Sequence, residues 1–461
     1  MYISIPPLKI PQRDPDMKKI LFSGLFFSFW VSALAQTKEI NALIKPYVET
    51  NNFSGSVLVA QNGKTLFSGA FGQMNRSYNI PNTPQTKFYL ASVSMIFTSA
   101  AIMKLVEEKK LSLDDPLTKY LPDYKQGNRL TLQNLLTQRS GIPAIGDNRK
   151  VNYDSITKFP HTPDQLIDFI KDDSLLFAPD SKYNHGRSDY IILAFIIEKV
   201  TGKSFGSYLK ETIFDPLRMS NTGHSSGEKE IVTNLALGYA PVGHYDVENA
   251  YQIDWTSKTG HGSIYSTAED LNKFATAILN NELLSKESWQ KIFADYGNGV
   301  GYAWFIRDHL EKKRVQMNGR SPGFSSYFGI YPNDKLVVIV LSNNYISLPP
   351  EIGKQLAALA LKMPYTKTNI TTTKLSVEQA NKLTGKYKFD DKFYVKNIEM
   401  EVSFIDGNLS CTWGALIPVD QGNKKLTKFI QRDYWSDVEF IENSKGEIEA
   451  MMYDGHKGVR K

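Results

Sequence analysis

Residues 93–108 constrain the fold more than any other segment of this sequence. They follow a helical pattern but are apolar on nearly every face, whereas a helix at a protein surface keeps one polar face. Other elements must therefore enclose such a helix on all sides. We expect a large domain built around residues 93–108, and a chain of 461 residues is long enough to supply its core.

Strand and helix patterns surround this segment. Two β-type runs, 55–60 and 64–69, are joined by Gln61-Asn62-Gly63, and an Asn-Gly pair in that position predicts a hairpin. Further strands are predicted at 327–331 and 336–342. Helices are predicted at 165–171, 189–201, about 267–280 and 351–361. Together these elements predict an α/β (α+β) domain over residues 37–365.

The composition changes after residue 365. Residues 366–374 (TKTNITTTK) are polar and predict a linker. Residues 375–461 contain short β-type runs separated by Gly-containing turns, which predicts a small antiparallel β domain. The pattern leaves a barrel and a sandwich open as alternatives.

The pattern of the first 35 residues is typical of an N-terminal extension followed by a signal peptide. Lys18 and Lys19 precede an apolar run over 20–31, and Ala33-Leu34-Ala35 forms a small-x-small cleavage pattern. We expect translation to start at Met17 and cleavage to fall before Gln36, with an uncleaved anchor as the alternative. The sequence thus predicts a secreted or periplasmic protein with no stable membrane span after cleavage.

Charge and cysteine content exclude several classes of function. Lys and Arg exceed Asp and Glu only by 54 to 48, and no basic block stands out, so nucleic-acid binding is not expected. The single cysteine, Cys411, excludes an internal disulfide and a cysteine-based zinc site. The histidines lack the spacing of metal ligands, and we expect neither a metal nor a cofactor.

Several ordered blocks resemble the serine β-lactamase and penicillin-binding-protein superfamily, in the branch of class C β-lactamases, D-alanyl-D-alanine carboxypeptidases and related esterases. The blocks are FYLASVSMIFT at 88–98, LLTQRSGIP at 135–143, FAPDSKYNHGRSDY at 177–190, STAEDL at 266–271 and RSPGFSSYFGIYPNDKLVVIVLSN at 320–343. The resemblance covers nearly all of 37–360. It implies a β-lactamase/transpeptidase-like fold with a central antiparallel sheet flanked by helices, to which a β domain is often appended.

The first catalytic motif of this superfamily, S-x-x-K, is incomplete. The resemblance identifies Ser92 as the nucleophile, but Met95 stands where the family has the lysine that removes the serine proton. A thioether cannot accept a proton. Lys104 lies about 18 Å further along a helix and cannot replace the missing lysine.

The other two motifs are altered as well. The resemblance places His185 at the tyrosine and Arg187 at the asparagine of the Y-x-N motif. In the third motif, K-T-G or H-x-G on a strand, the aligned triplet is Met317-Asn318-Gly319, followed by Arg320. The implied oxyanion hole would use the backbone N–H groups of Ser92 and Arg320. A literal Lys258-Thr259-Gly260 precedes STAEDL, and we interpret it as coincidental.

These replacements leave three hypotheses. The first is a catalytically degenerate member that keeps a groove for a peptide, glycan, cell-wall fragment or protein ligand. The second is an active hydrolase of esters or amides that uses a Ser92–His185 dyad, with Arg187 or Arg320 binding a carboxylate. The third is a scaffold whose β domain carries the interaction. Ser92 also has a structural alternative, since serine favours helix N-caps.

Overall fold

The computed structural model describes residues 36–146, 152–227, 229–365, 370, 375–421 and 427–461. The predicted signal peptide lies outside the described residues, as does the predicted linker except for Ile370. Among the described residues, no helix combines the length and apolar character needed to cross a bilayer.

The large domain mixes helices and strands. Its helices are 36–49 (α1, as far as described), Met95–Glu107 (α2), Leu132–Leu136 (α3), Tyr153–Ile156 (α4), Pro163–Asp168 (α5), Arg187–Thr201 (α6), Phe205–Leu209 (α7), Ala268–Leu279 (α8), Lys286–Ile292 (α9) and Pro349–Ala360 (α10). Its strands are Gly55–Gln61 (β1), Lys64–Phe71 (β2), Gln73–Asn75 (β3), Ile80–Pro81 (β4), Phe88–Tyr89 (β5), Gly223–His224 (β6), Tyr239–Val242 (β7), Asp246–Asn249 (β8), Ile264–Ser266 (β9), Phe305–His309 (β10), Lys312–Ser321 (β11), Phe324–Tyr331 (β12) and Leu336–Ser342 (β13).

A six-stranded antiparallel sheet organises this domain, in the order β10-β11-β12-β13-β1-β2. β1 and β2 form the predicted hairpin. Asn62 and Gly63 both have positive φ (52° and 74°), which is the geometry an Asn-Gly hairpin turn needs. The predicted central antiparallel sheet is therefore confirmed.

Alternate residues of β1 pack on opposite faces of the sheet. Val57 and Val59 face a core that contains α1 and α10, whereas Leu58 and Ala60 face a core that contains α2, α6 and α8. Because both faces are covered, the central strands are almost continuously apolar.

The helix predicted at 93–108 lies in the second of these cores. It corresponds to a short 3-10 turn, Ala91–Ser94, followed by α2. The α2 side chains Ile96, Phe97, Ala100 and Ala101 are almost fully buried. The prediction of a fully enclosed helix is confirmed, and the start of this helix is consequently held rigidly by its surroundings.

The C-terminal residues form a closed antiparallel barrel, which decides between the two predicted alternatives. Its elements are Val377–Leu383 (α11), Gly385–Lys388 (β14), Glu399–Ile405 (β15), Asn408–Cys411 (β16), Gly414–Pro418 (β17), Lys428–Gln431 (β18), Ser436–Glu442 (β19), Ile448–Tyr453 (β20) and His456–Arg460 (β21). The strands follow one another around the barrel in chain order. Apolar side chains, Cys411 among them, fill the interior.

The turn between β18 and β19 docks the barrel on the large domain. Arg432 is almost fully buried there and donates through Nε to Asn52 Oδ1 (3.0 Å) and through Nη1 to the His244 carbonyl (2.7 Å). Nearby, the Trp435 ring stacks on Tyr47 with centroids 4.1 Å apart. A buried, hydrogen-bonded guanidinium and an aromatic stack fix this contact.

Two half-buried histidines, His224 and His244, make the stability of this chain pH-dependent. Loss of hydration on burial is the main cause that lowers the pKa of His224 and of His244 to about 4. An unfolded histidine has a pKa of about 6.5, so between about pH 6.5 and pH 4 the unfolded state binds more protons than the native state. The contribution of these groups is therefore complete above about pH 6.5 and is lost as the pH falls towards 4.

We expect a His224→Gln variant to lose less stability on acidification than the wild type. Glutamine keeps a polar atom for Thr259, whose hydroxyl lies 3.3 Å from His224 Nε2, but it does not titrate. Urea denaturation at pH 7.5 and pH 5 should give a loss about 2 kcal/mol smaller in the variant. Equal losses of stability in the variant and the wild type would contradict the lowered pKa of His224.

Candidate functional site

One cavity contains most of the residues that the sequence analysis selected. Its volume is about 450 Å³. It lies between the start of α2, the start of α6, β11 and the loop that precedes β9. The lining residues are Ser92, Ala144, His185, Arg187, Lys258, His261, Phe305, Asn318, Arg320 and Ser321.

Ser92 lies in the 3-10 turn that leads into α2 and is half-buried at the cavity wall. The residue before it, Ala91, has a φ of 49°, a left-handed conformation that is strained for a residue with a side chain. Ser94, not Ser92, is the N-cap residue of α2, and neither serine makes a side-chain cap hydrogen bond there. Helix capping therefore does not account for a serine at position 92, and its hydroxyl is left to face the cavity.

Gly319 allows β11 to approach the Ser92 backbone. A Cβ atom on Gly319 would lie 2.4 Å from the Leu90 carbonyl oxygen and 2.7 Å from the Ser92 amide nitrogen. Both distances are shorter than real Cβ contacts, and both neighbours are backbone atoms that cannot rotate away. The glycine thus places the strand against the amide that the resemblance assigned to an oxyanion hole.

We expect Gly319→Ala to lower the free energy of unfolding by about 1–3 kcal/mol, because β11 must move away from Ser92. Asn318→Ala is the matched control on the same strand. Its side chain is partly exposed on the cavity, so its effect should stay within about 0.5 kcal/mol. Chemical denaturation of both variants measures the difference, and equal stabilities would disprove the close approach.

Met95 occupies the position of the missing lysine but does not line the cavity. Its side chain is fully buried, and the Gln138 Nε2 group approaches its sulfur at 3.9 Å. The same Nε2 donates to the Gly186 carbonyl at 3.2 Å. Met95 and Gln138 therefore occupy the position of the family's base. Both side chains are uncharged, and neither can take a proton from Ser92.

His185 lies at the mouth of the cavity, where the residue is only partly covered by protein atoms. The surrounding protein atoms, and to a lesser extent the Arg187 guanidinium, lower its pKa below the ordinary value. His185 Nδ1 lies 3.2 Å from the Tyr183 hydroxyl. Among the described residues, no hydrogen bond joins His185 to Ser92. The imidazole is therefore neutral near pH 7 but is not engaged with the serine.

Lys258 belongs to the cavity although the sequence analysis set its motif aside. It ends a 3-10 helix, Trp255–Lys258, so Lys258-Thr259-Gly260 is not the strand motif of the family. Its side chain is nearly buried, and its Nζ donates to the Tyr153 hydroxyl at 3.0 Å. The same tyrosine ring carries the Arg187 guanidinium, 4.2 Å from its centroid. Tyr153 thus holds two cations side by side at the cavity.

His261 lies deeper in the same wall and is 3% exposed. Neither ring nitrogen has a hydrogen-bond partner of good geometry among the described residues. Burial, followed by the charges of Lys258 and Arg187, lowers its pKa well below the ordinary value. His261 thus adds a neutral ring to the cavity wall, and both of its nitrogens are buried.

The third-motif positions divide between the two faces of β11. Met317 pairs with Phe328 in the sheet and is buried in the core, away from the cavity. Its neighbour Asn318 lines the cavity, as does Arg320 two residues further on. Arg320 is exposed at the mouth, and its guanidinium lies 5.3 Å from the Tyr345 ring centroid. Expecting Met317 in the groove was therefore wrong, because successive residues of a strand alternate faces.

The electrostatic character of the cavity is strongly cationic. Arg187, Lys258 and Arg320 line it, and none of the lining residues is acidic. In the barrel, burial raises the pKa of the Asp433 carboxyl, and the guanidinium groups of Arg432 and Arg320 oppose this shift. Within the described ranges, no group of three or more His, Cys, Asp and Glu side chains is placed to hold a metal. The chemistry that this lining fits is the binding of an anion.

Sequence reasoning missed Lys258, His261 and Tyr153. They lie in segments that carry none of the three motifs and reach the cavity only through the fold. The one sequence feature that could have indicated Lys258 was the literal Lys258-Thr259-Gly260. Lys258 does line the cavity, but it lies in a 3-10 helix and not on the strand of the third motif. Nothing in the sequence pattern indicates Tyr153.

Comparison with known proteins agrees with the superfamily that the sequence resembles. The model of the Beta-lactamase family matches residues 40–362. Putative penicillin-binding protein PbpX from Bacillus subtilis (strain 168) is 31% identical over 310 residues, which cover 67% of this chain and 75% of that protein. Teichoic acid D-alanine hydrolase from Staphylococcus aureus is 28% identical over 311 residues, which cover 65% and 72% of the two chains.

Solved structures agree with the fold. A penicillin-binding protein from Bacillus halodurans, 25% identical, superposes with a TM-score of 0.61 over 70% of this chain and 98% of its own. The octameric penicillin-binding protein homologue from Pyrococcus abyssi, 24% identical, has a TM-score of 0.65 and covers 95% of this chain and 100% of its own. On these grounds, the chain belongs to the Beta-lactamase family, within the superfamily of serine β-lactamases and penicillin-binding proteins.

Proposed function

We propose that this chain binds an anionic ligand in the Ser92 cavity and hydrolyses that ligand slowly or not at all. The observation that carries the proposal is the charge of the lining, in which Arg187, Lys258 and Arg320 face one space without an acidic lining residue. A cavity lined by three cations favours a ligand that brings negative charge.

The replaced motif residues support the second half of the proposal. Ser92 keeps its place, but Met95 cannot act as a base and His185 makes no hydrogen bond to Ser92. Removing one general base typically costs about 10²–10⁴ in rate. The geometry thus favours binding over turnover.

The ligand class we propose is a peptide or cell-wall fragment that carries a carboxylate. Arginine and lysine side chains at 187, 258 and 320 suit a carboxylate, and the neutral imidazole of His185 can donate to its oxygens. Relatives of the chain are named for penicillin binding and for hydrolysis of teichoic acid D-alanine. The names of these relatives support the further proposal that this protein acts outside the cytoplasm.

Calorimetric titration tests the proposal. The probes are an acyl-D-alanyl-D-alanine with a free carboxylate and the same compound with a C-terminal amide. The free acid should bind, and the amide should bind at least tenfold more weakly because it lacks the charge. Equal binding of both, or no binding of either, would contradict the anionic-ligand proposal.

A second candidate function is a slow Ser92-dependent hydrolase with His185 as its base. A series of hydrogen-bonded side chains supports this function. The Tyr183 hydroxyl lies 3.4 Å from Gln138 Oε1 and 3.2 Å from His185 Nδ1. If the tyrosine proton points to Gln138, His185 Nδ1 carries a proton and Nε2 is free to accept one. The neutral state of His185 fits that role.

Fluorophosphonate labelling separates the two candidates. Labelling of the wild type that is lost in both Ser92→Ala and His185→Ala would establish the dyad. The binding proposal expects no more labelling in the wild type than in Ser92→Ala.

A further inference from the structure

A second cavity lies at one end of the C-terminal barrel and is separate from the Ser92 site. Its volume is about 540 Å³. Three turns and one loop form it, namely those between β14 and β15, β16 and β17, β18 and β19, and β20 and β21. In a barrel whose strands follow one another in chain order, alternate connections share an end, so these four connections meet.

Aromatic rings form the walls of this cavity. Trp413 is central: the Phe393 ring stacks at 5.3 Å with planes 12° apart and so lies parallel to it. The rings of Tyr434 and Tyr453 stand steeply to Trp413, at 72° and 88°, with centroids 6.1 and 5.4 Å away. Tyr394 completes the wall at 6.4 Å and 50°. We call Tyr394, Trp413, Tyr434 and Tyr453 the aromatic cage.

Two of the four rings of the aromatic cage are largely exposed, whereas Trp413 is half-buried and Tyr453 is buried. Tyr394 is 64% and Tyr434 61% exposed. Rings at steep mutual angles make a box around a compact group, whereas a sugar ring stacks best on one flat, open face. Inclined electron-rich faces are the environment that favours an organic cation.

The charge at the aromatic cage is negative. Asp454 lines the cavity, accepts from the Tyr394 hydroxyl at 3.3 Å and accepts from the Asp437 amide at 3.0 Å. Among the residues that line this cavity there is no lysine, arginine or histidine. His456 lies behind the wall, 5.4 Å from the Tyr394 ring. A cation entering the cage therefore meets one carboxylate and no positive charge in the lining.

Five of the seven lining residues are aromatic or aliphatic, and this narrows the kind of cation. Each oxygen of Asp454 accepts one hydrogen bond, and Ser436 is the one hydroxyl-bearing aliphatic side chain in the lining. A primary ammonium needs acceptors for three N–H groups, whereas a trimethylammonium group needs none and gains from the ring faces. We propose that the aromatic cage binds a methylated ammonium head group.

Titrations of the purified full chain with three small probes test this proposal. Choline carries a trimethylammonium group, ethanolamine a primary ammonium, and 3,3-dimethylbutan-1-ol is the uncharged isostere of choline. Choline should bind about tenfold more tightly than either of the others. Equal binding of choline and its isostere would show that the pocket is only apolar and would overturn the proposal. A chitin trisaccharide is titrated as well, and tighter binding of this sugar than of choline would also overturn the proposal.

Variants then locate the binding. Tyr434→Ala removes an exposed ring and should weaken choline binding at least fivefold, and Trp413→Phe should weaken it while preserving the packing. Asp454→Asn keeps the shape and removes the charge, and should weaken choline but not its isostere. Tyr78→Ala, which removes a still more exposed ring (78%, against 61% for Tyr434) from the large domain, is the control and should leave binding unchanged. Unaltered affinity in folded Tyr434→Ala and Trp413→Phe would overturn the assignment.

Discussion

Replacing Lys258 by methionine and Arg320 by glutamine in the same chain should weaken the binding of an acyl-D-alanyl-D-alanine carboxylate by about 100-fold. A hydrogen bond between charged groups contributes about 1.5–3 kcal/mol, and 1.4 kcal/mol corresponds to a factor of ten in affinity. Two such contacts would be lost. Titration calorimetry at constant salt measures the change.

The choice of residues makes this test selective. Methionine preserves the volume of the nearly buried Lys258 stem, and Arg320 is exposed at the mouth, so the fold should survive. Lys64→Met combined with Arg129→Gln removes the same two charges from exposed positions outside the cavity. That control should leave the affinity within about threefold. If both double variants bind equally weakly, net charge and not the cavity determines binding.

The second large effect concerns turnover. A variant with Met95→Lys, His185→Tyr and Arg187→Asn should hydrolyse a short thioester or D-alanyl ester at least about 100-fold faster than the wild type. The lysine then stands one helical turn from Ser92, and the tyrosine and asparagine restore the second motif. Met317 is left unchanged because its side chain lies on the face of β11 opposite to Asn318 and the cavity.

The nucleophile provides the control for this gain. Adding Ser92→Ala to the restored variant should remove the acquired activity. An increase that persists without the Ser92 hydroxyl would have another origin. A wild-type rate already as high as that of the restored variant, and lost in His185→Ala, would instead favour the dyad.

The sequence predicted those parts of the fold that local patterns determine. Residues 93–108 could be assigned to an enclosed helix because they lack a polar face, and Asn62-Gly63 predicted its hairpin because few residues adopt positive φ there. The positions of Ser92, His185 and Arg187 in one cavity were expected from the resemblance of the motif blocks to the superfamily.

The remaining parts depend on contacts distant in sequence. Lys258 and Tyr153 lie 105 positions apart and meet only through the packing of the domain. The orientation of Met317 depends on the register of β11, and a shift of one residue exchanges the two faces of a strand. The aromatic cage combines residues from four connections whose common end exists only once the barrel closes.

Native mass spectrometry of the protein with a fluorescent penicillin tests the central claim most directly, because one spectrum shows both bound ligand and covalent adduct. The penicillin carries a carboxylate, and its ring opens if Ser92 attacks. We predict a non-covalent complex that dissociates on denaturation and leaves the protein mass unchanged. An acyl adduct that survives denaturation and maps to Ser92 would contradict the account.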